Sequence, residues 1–198
     1  MAVRVVIAED EAIIRLDLKE ILEEEGYSVV GETGRGDEAI TLVREHAPDL
    51  VILDIRMPGV DGLAAAREIA GAGETAVLIL TAFSQRNLIE EARDAGALAY
   101  LIKPFTKTEL IPAIEVALGR FEEMRAIKRD NEELAAQLET RRVVDRAKGI
   151  CMDNHGLTEN EAFGFIQRTA MRERKTMREI AQAIIDGSLV PTEHLGQS

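Results

Sequence analysis

The sequence contains a single cysteine, Cys151, and only three histidines, which lie far apart along the chain. One cysteine cannot form an internal disulfide, which fits a reducing compartment, and so few thiol and imidazole groups argue against a zinc site. No apolar run approaches the ~20 residues that span a bilayer. The first stretch, MAVRVVIAEDE, soon reaches acidic residues and does not resemble a secretory signal. These features predict a cytoplasmic protein.

Basic side chains are outnumbered by acidic ones, and the formal net charge is −12. The imbalance lies in the first part of the chain, because residues 1–119 carry 11 Lys/Arg and 22 Asp/Glu, whereas residues 120–198 carry 13 and 14. Within residues 141–190, nine basic side chains outnumber seven acidic ones. The net charge argues against general affinity for nucleic acids, but its asymmetry indicates that the two parts have different partners.

Short β-branched runs alternate with helical patterns over the first ~120 residues, as a doubly wound α/β fold requires. The predicted strands are 3–8, 28–32, 50–54, 76–81 and 99–102, with helices near 11–25, 36–46, 60–71 and 85–95. The strands are almost continuously apolar, which predicts a parallel sheet covered by helices on both faces. We therefore expect a flavodoxin-like five-stranded sheet with the strand order 2-1-3-4-5.

Polar side chains follow the strands at the carboxyl edge of this sheet, where open α/β folds bind ligands. They are Glu9, Asp10, Asp54, Thr81 and Lys103. Alone, each is as readily a helix cap or a solvent-facing side chain, but two carboxylates in one small volume need a cation such as Mg²⁺. The backbone carbonyl of Arg56 adds a ligand, and Lys103 and Thr81 supply an ammonium and a hydroxyl. This set is typical of aspartyl-phosphate chemistry.

These residues lie in four motifs, VVIAEDE, VILDIRMPGVDG, LILTAF and AYLIKPF. Together the motifs resemble the receiver domain of two-component response regulators, over residues 1–120. The resemblance implies that Asp54 is the phosphoacceptor, that a sensor histidine kinase is the partner, and that the chain is not itself an enzyme. It implies a Mg²⁺ site formed by Glu9, Asp10, Asp54 and the Arg56 carbonyl. It also implies that Lys103 contacts the phosphate, that Thr81 and Tyr100 are the switch residues, and that the Lys103–Pro104 bond is cis.

A long helix is predicted from about residue 106 to 146, and its apolar residues follow two heptad blocks. The predicted dimer-helix residues are Ile114, Phe121, Met124, Ile127, Asn131, Leu134 and Leu138. Asn131 is a polar residue at a core position, which can fix the register of a parallel pair. We expect a dimerising coiled coil over residues 106–140, with a solvent-exposed linker helix as the alternative.

The last ~50 residues predict three helices, two of which open with capping boxes, Thr158 with Glu161 and Thr176 with Glu179. The first of these should carry Ala162, Phe163, Ile166 and Ala170 inward. Three outputs compete for this segment. DNA binding is disfavoured because the third helix offers only Arg178 and Gln182 at base-reading positions. A protein-interaction or dimerisation bundle, with a solvated charged face, and RNA binding both remain open.

Basic residues at helical spacing form two stripes suited to phosphate contacts with a folded RNA. They are Arg141, Arg142, Arg146, Lys148, Arg168, Arg172 and Lys175. The segment from RRVVDRAKGICMDNHGLTENEAF to MREIAQAII is similar to the ANTAR domain, a three-helix RNA-binding module of transcription antiterminators. The predicted domains are therefore a receiver (1–120), a linker helix (106–140), an ANTAR domain (140–190) and a flexible tail (191–198).

The ANTAR resemblance implies that two copies of the chain together bind a pair of stem-loops in nascent RNA. Binding would prevent a terminator hairpin from forming, so that transcription continues. The resemblance thus predicts a homodimer when the chain is phosphorylated or bound to RNA. Cys151 stands where the family usually has leucine, which favours a small core residue over a redox role.

Overall fold

A computed structural model describes residues 2–82 and 86–191, with only the backbone of residues 86 and 87. The predicted tail therefore lies outside the described residues, apart from Pro191. By its internal contacts the chain divides into an N-terminal unit, up to Ala126, and a C-terminal unit, from Ile127 onward. None of the described helices is long and apolar enough to cross a membrane.

The N-terminal unit is built around five strands, β1 (Arg4–Ala8), β2 (Ser28–Thr33), β3 (Leu50–Asp54), β4 (Ala76–Thr81) and β5 (Ala99–Ile102). All neighbouring strands are parallel, and their order is β2-β1-β3-β4-β5. The helices are α1 (Ala12–Glu24), α2 (Gly36–His46), α3 (Gly62–Ala72), α4 (Arg86–Asp94) and α5 (Lys107–His155). The predicted flavodoxin-like topology is confirmed.

Two apolar layers cover the two faces of the sheet. On one face, Ala39 and Val43 of α2 pack with Ile69 of α3, and on the other Leu18 of α1 packs with Leu110 of α5. β3 and β4 are buried along their whole lengths because they lie inside the sheet with helices on both sides. This burial keeps the carboxyl ends of β1, β3 and β4 in one fixed edge.

The C-terminal unit is a three-helix bundle formed by the end of α5 with α6 (Glu159–Glu173) and α7 (Met177–Ile185). Its core takes Ala147 and Cys151 from α5, Ile166 from α6, and Ile180 and Ile184 from α7. Both predicted capping boxes are present, at the starts of α6 and α7. The helical bundle expected from the sequence is therefore confirmed.

One side chain of the bundle does not lie where its helical spacing predicted. Ala162, Ile166 and Ala170 are buried as expected, but Phe163 is 42% exposed and lies outside the core. Phe165, two positions later, packs against the core instead. The prediction that Phe163 faces inward is wrong, because the buried stripe of α6 extends toward Phe165, on the opposite side of the helix from Phe163.

Candidate functional site

A cavity of about 290 Å³ opens at the carboxyl edge of the sheet. Asp54 is the last residue of β3 and Thr81 the last of β4, while Asp10 follows β1 and Lys103 follows β5. All four line the cavity, together with Arg56 from the loop after β3. The structure thus brings the predicted residues together, with Glu9 fully buried beside them.

Lys103 joins two of the carboxylates. Its Nζ lies 2.6 Å from Oε2 of Glu9 and 3.2 Å from Oδ1 of Asp54, and all three side chains are at least nine-tenths buried. The backbone N–H of Lys103 also donates to the carbonyl oxygen of Thr81 at 2.8 Å. The ammonium group is thereby held beside Asp54, where it can offset negative charge on any group that this carboxylate binds.

Burial dominates the electrostatics of this cluster. Desolvation raises the pKa of Glu9, opposed by Lys103, and it raises the pKa of Asp54 in the same way. Burial alone would lower the pKa of Lys103, but the two carboxylates outweigh it and the pKa is raised. The cluster therefore holds more negative charge than its surroundings solvate, which favours the binding of a cation.

The donor atoms fit a hard divalent cation. Glu9, Asp10 and Asp54 each offer a carboxylate oxygen, and these three atoms lie within 4.8 Å of one another. Oε2 of Glu9 is buried and lies 2.6 Å from Nζ of Lys103, so a bound cation would share the Glu9 carboxylate with that ammonium group. Oxygen ligands in this number suit Mg²⁺, which binds a few carboxylates and keeps several waters.

The backbone of Gly62 lies so close to the backbone of Asp54 that only glycine fits there. The sequence interpretation missed this contact. A Cβ on Gly62 would lie 1.9 Å from the carbonyl oxygen of Asp54. The N–H of Gly62 donates to Ile55, and Asp61 caps α3 by accepting a hydrogen bond from the N–H of Ala64. The signal was present in the sequence as an Asp-Gly pair, with Asp61 as the cap and Gly62 as the first residue of a helix.

The predicted switch residues differ in exposure. Thr81 is 3% exposed at the cavity, whereas Tyr100, on β5, is 43% exposed. The Lys103–Pro104 peptide bond is cis, as predicted. The described contacts place Thr81 next to the carboxylates and leave Tyr100 open to the surface.

The predicted RNA-binding side chains of the C-terminal unit are not equally available. Arg142, Arg146 and Arg168 are exposed and form no ion pair with another described residue. The other four pair with acidic groups: Arg141 with Asp145, Lys148 with Asp145 and Glu159, and both Arg172 and Lys175 with Glu173.

Lys148 is the most constrained of these residues. Its Nζ lies 2.8 Å from Asp145 on the same helix and 2.8 Å from Glu159 on α6, and its side chain is only 15% exposed. The carboxylates of Asp145 and Glu159 raise the pKa of Lys148 above its usual value. Lys148 therefore connects α5 to α6, and a phosphate would have to displace both carboxylates to reach it.

Part of the predicted dimer helix belongs to the core of the N-terminal unit. Ile114 is fully buried and Phe121 is 8% exposed, both packed against the sheet. The prediction is wrong for these two residues, because a side chain inside its own domain cannot contact a partner helix. By contrast, the remaining apolar members are 54–61% exposed: Met124, Ile127, Leu134 and Leu138. Asn131 is exposed as well.

Cys151 is fully buried in the core of the C-terminal unit. Desolvation raises the pKa of its thiol, which disfavours the reactive thiolate. The position therefore suits a small core residue rather than a redox group.

Comparisons with known proteins divide the chain at the same helix. The family model of the response regulator receiver domain matches residues 5–115, and that of the ANTAR domain matches residues 132–185. Transcriptional regulatory protein PdtaR of Mycobacterium tuberculosis is 54% identical over 183 residues, which cover 92% of this chain and 89% of that protein.

Other relatives match the N-terminal unit alone. Chemotaxis protein CheY of Bacillus subtilis is 38% identical over 120 residues, 60% of this chain and 100% of that protein. A two-component response regulator of the LuxR family from Aurantimonas sp. SI85-9A1, known from its crystal structure, is 34% identical in sequence. It aligns with a TM-score of 0.57 over 60% of this chain and 86% of that one.

Proposed function

The chain belongs to the two-component response regulators that join a receiver domain to an ANTAR RNA-binding domain, and we propose that phosphorylation of Asp54 controls its binding to RNA. We further propose that it binds paired stem-loops in nascent transcripts in the cytoplasm and promotes transcription antitermination. The observation that carries the proposal is the joining, in one chain, of the Asp54–Lys103 pocket to an RNA-binding domain.

The pocket supports phosphoryl transfer from a phosphohistidine of the kinase. An Asp54 carboxylate oxygen attacks phosphorus, the P–N bond breaks, and the histidine nitrogen leaves with its electron pair. Lys103, already 3.2 Å from Asp54, offsets the charge that grows on the phosphoryl oxygens. Glu9 holds Lys103 in place from the buried side. Mg²⁺ bound by Glu9, Asp10, Asp54 and the Arg56 carbonyl would supply further charge neutralisation.

The new phosphoryl group adds about two negative charges at the edge of the sheet. In this proposal the Thr81 hydroxyl moves to donate a hydrogen bond to it, and Tyr100 moves into the space that Thr81 leaves. Tyr100 lies on β5, and α5 begins five residues after that strand ends. Phosphorylation would thereby change the surface from which the long helix begins.

The exposed apolar residues of α5, from Met124 to Leu138, would pair with those of a second copy. Pairing places two RNA-binding domains on one scaffold, and two weak sites that bind together gain avidity. Arg142, Arg146 and Arg168 are the best placed phosphate contacts, because no described acidic group competes for them. Arg141, Lys148, Arg172 and Lys175 would first have to leave their ion pairs.

A gel shift tests the proposal. Wild type and Asp54→Asn are mixed with a paired-hairpin RNA, or with duplex DNA of the same sequence, with and without acetyl phosphate. We expect wild type to bind the RNA more tightly when acetyl phosphate is present, and Asp54→Asn to show no such response. Equal binding to DNA, or a response that survives in Asp54→Asn, would contradict it.

A further inference from the structure

An open groove of about 580 Å³ lies in the C-terminal unit, between α5, α6 and the start of α7. Its lining includes the apolar Val144, Phe163 and Met177 and the polar Gln137, Thr140 and Asp145. Cavities of roughly 300–1,000 Å³ that combine apolar walls with a few polar groups are typical of small-ligand sites. Every lining residue lies within the segment that the ANTAR model matches.

Phe163 is the feature of this groove that packing does not explain. Its neighbours on α6, Ala162 and Ile166, fill the core of the bundle, whereas the Phe163 ring is 42% exposed. An aromatic ring beside an open groove offers a flat face for stacking, which RNA-binding proteins use for unpaired bases.

The charges around the groove balance. Glu133 and Asp145 are acidic, Arg141 and Lys148 are basic, and Lys148 is already neutralised by Asp145 and Glu159. A groove without net charge does not favour a phosphate, but it suits an uncharged planar group. Arg141 is 82% exposed, so once it leaves its 3.9 Å ion pair with Asp145 it can contact a phosphate next to that group.

The polar groups beside the groove can bind the edge of such a ring. The amide of Gln137 donates to Glu133 at 3.3 Å, and the hydroxyl of Thr140 donates to the carbonyl of Ala136 at 2.8 Å. Each keeps an oxygen that can accept a hydrogen bond, and Asp145 adds a carboxylate. Amide, hydroxyl and carboxylate groups of this kind distinguish one base from another.

We propose that this groove binds an unpaired nucleobase from a hairpin loop, stacked on Phe163 with its edge toward Gln137, Thr140 and Asp145. This inference rests on the proposed RNA-binding function. The exposed arginines would then contact RNA phosphates whatever the sequence, and the groove would select the base. A second copy of the chain is the competing occupant, and the test below distinguishes it.

The test uses a hairpin RNA in which 2-aminopurine replaces each loop base in turn. We expect wild type to quench the fluorescence at one loop position and not at its neighbours. Phe163→Leu keeps an apolar side chain but removes the ring, so it should bind roughly ten-fold or more weakly and lose the quenching. Phe163→Tyr keeps the ring and should bind like wild type.

Two further variants complete the test. Met171→Leu, at a 71% exposed site on the same helix, should leave both affinity and quenching unchanged. Gln137→Leu keeps Phe163 and should alter which loop base is preferred. Because no phosphate contact is lost, the salt dependence of Phe163→Leu should equal that of wild type.

The results distinguish a failure of the proposed RNA binding from a failure of the groove proposal. If wild type binds no hairpin, the proposed function fails and this inference with it. If wild type binds while Phe163→Leu matches it in affinity and quenching, the groove proposal alone is wrong. If Phe163→Leu instead lowers self-association in sedimentation runs without RNA, a second copy occupies the groove and the proposal is overturned.

Discussion

The substitution Asp54→Asn should stabilise the N-terminal unit in the absence of divalent cations. The donor atoms of Glu9, Asp10 and Asp54 lie within 4.8 Å of one another, so each repulsive pair costs at least ~3.5 kcal/mol at an effective dielectric constant of about 20. The substitution removes two such pairs and also the attraction to Lys103 at 3.2 Å, worth ~5 kcal/mol on the same scale.

Solvent weakens the Asp10 contribution, because that residue is exposed. The Coulombic contributions then nearly cancel, and a gain of roughly 1–2 kcal/mol, equivalent to several degrees in Tm, comes from no longer burying the Asp54 charge, because burial is the largest cause of the raised pKa of Asp54. Mg²⁺ should reverse the ranking. Wild type would gain ~2.7 kcal/mol at a concentration of 100 times Kd, whereas Asp54→Asn, with one ligand neutralised, would gain much less.

Tyrosine fluorescence is a suitable assay for this prediction. Both tyrosines, Tyr27 and Tyr100, lie in the N-terminal unit, and the chain has no tryptophan, so the signal reports that unit alone. Melts are recorded in EDTA and over a MgCl₂ series at constant ionic strength, with the exposed Asp94→Asn as a control. A lower Tm of Asp54→Asn in EDTA, or an equal Mg²⁺ response in both proteins, would refute the reasoning.

Three other substitutions test the long helix and the close contact at Gly62. Ile114→Ala should lower the free energy of unfolding of the N-terminal unit by ~2–5 kcal/mol in tyrosine melts, without changing self-association. Leu138→Ala, at a 60% exposed position, should weaken self-association in sedimentation runs and leave the free energy of unfolding unchanged. A loss of stability in this variant would contradict the assignment. Gly62→Ala should slow phosphorylation by acetyl phosphate roughly 100-fold, because its Cβ would displace the Asp54 backbone. Gly71→Ala, on the same helix with open space around it, is the matched control and should phosphorylate normally.

The strand-end residues could be predicted from sequence because each follows a run that can only be a buried strand. Asp54 and Thr81 end such runs, and parallel strands bring their carboxyl ends to one edge. The predicted fold and strand order are confirmed. The order of residues along the chain does not show which carboxylate pairs with Lys103. In the structure it is the buried Glu9 rather than the exposed Asp10.

The long helix shows where periodicity stops being informative. Ile114 and Leu138 follow the same heptad rule, yet one lies in the core of its own domain and the other is exposed. Spacing tells which residues share a face, but not what covers that face. The prediction for Phe163 fails for a related reason, because Phe163 and Phe165 flank the inward stripe of α6 on opposite sides, and spacing alone does not tell which of them packs against the core.

Cys151 has a practical consequence for studying this chain. It is the only cysteine, it is fully buried, and its thiol resists ionisation, so maleimide reagents should react with it slowly. The native chain is therefore close to a cysteine-free background for site-directed labelling. A spin label attached through a cysteine introduced at the exposed Leu138 would report directly, as a distance between labels, whether two long helices pair when Asp54 is phosphorylated.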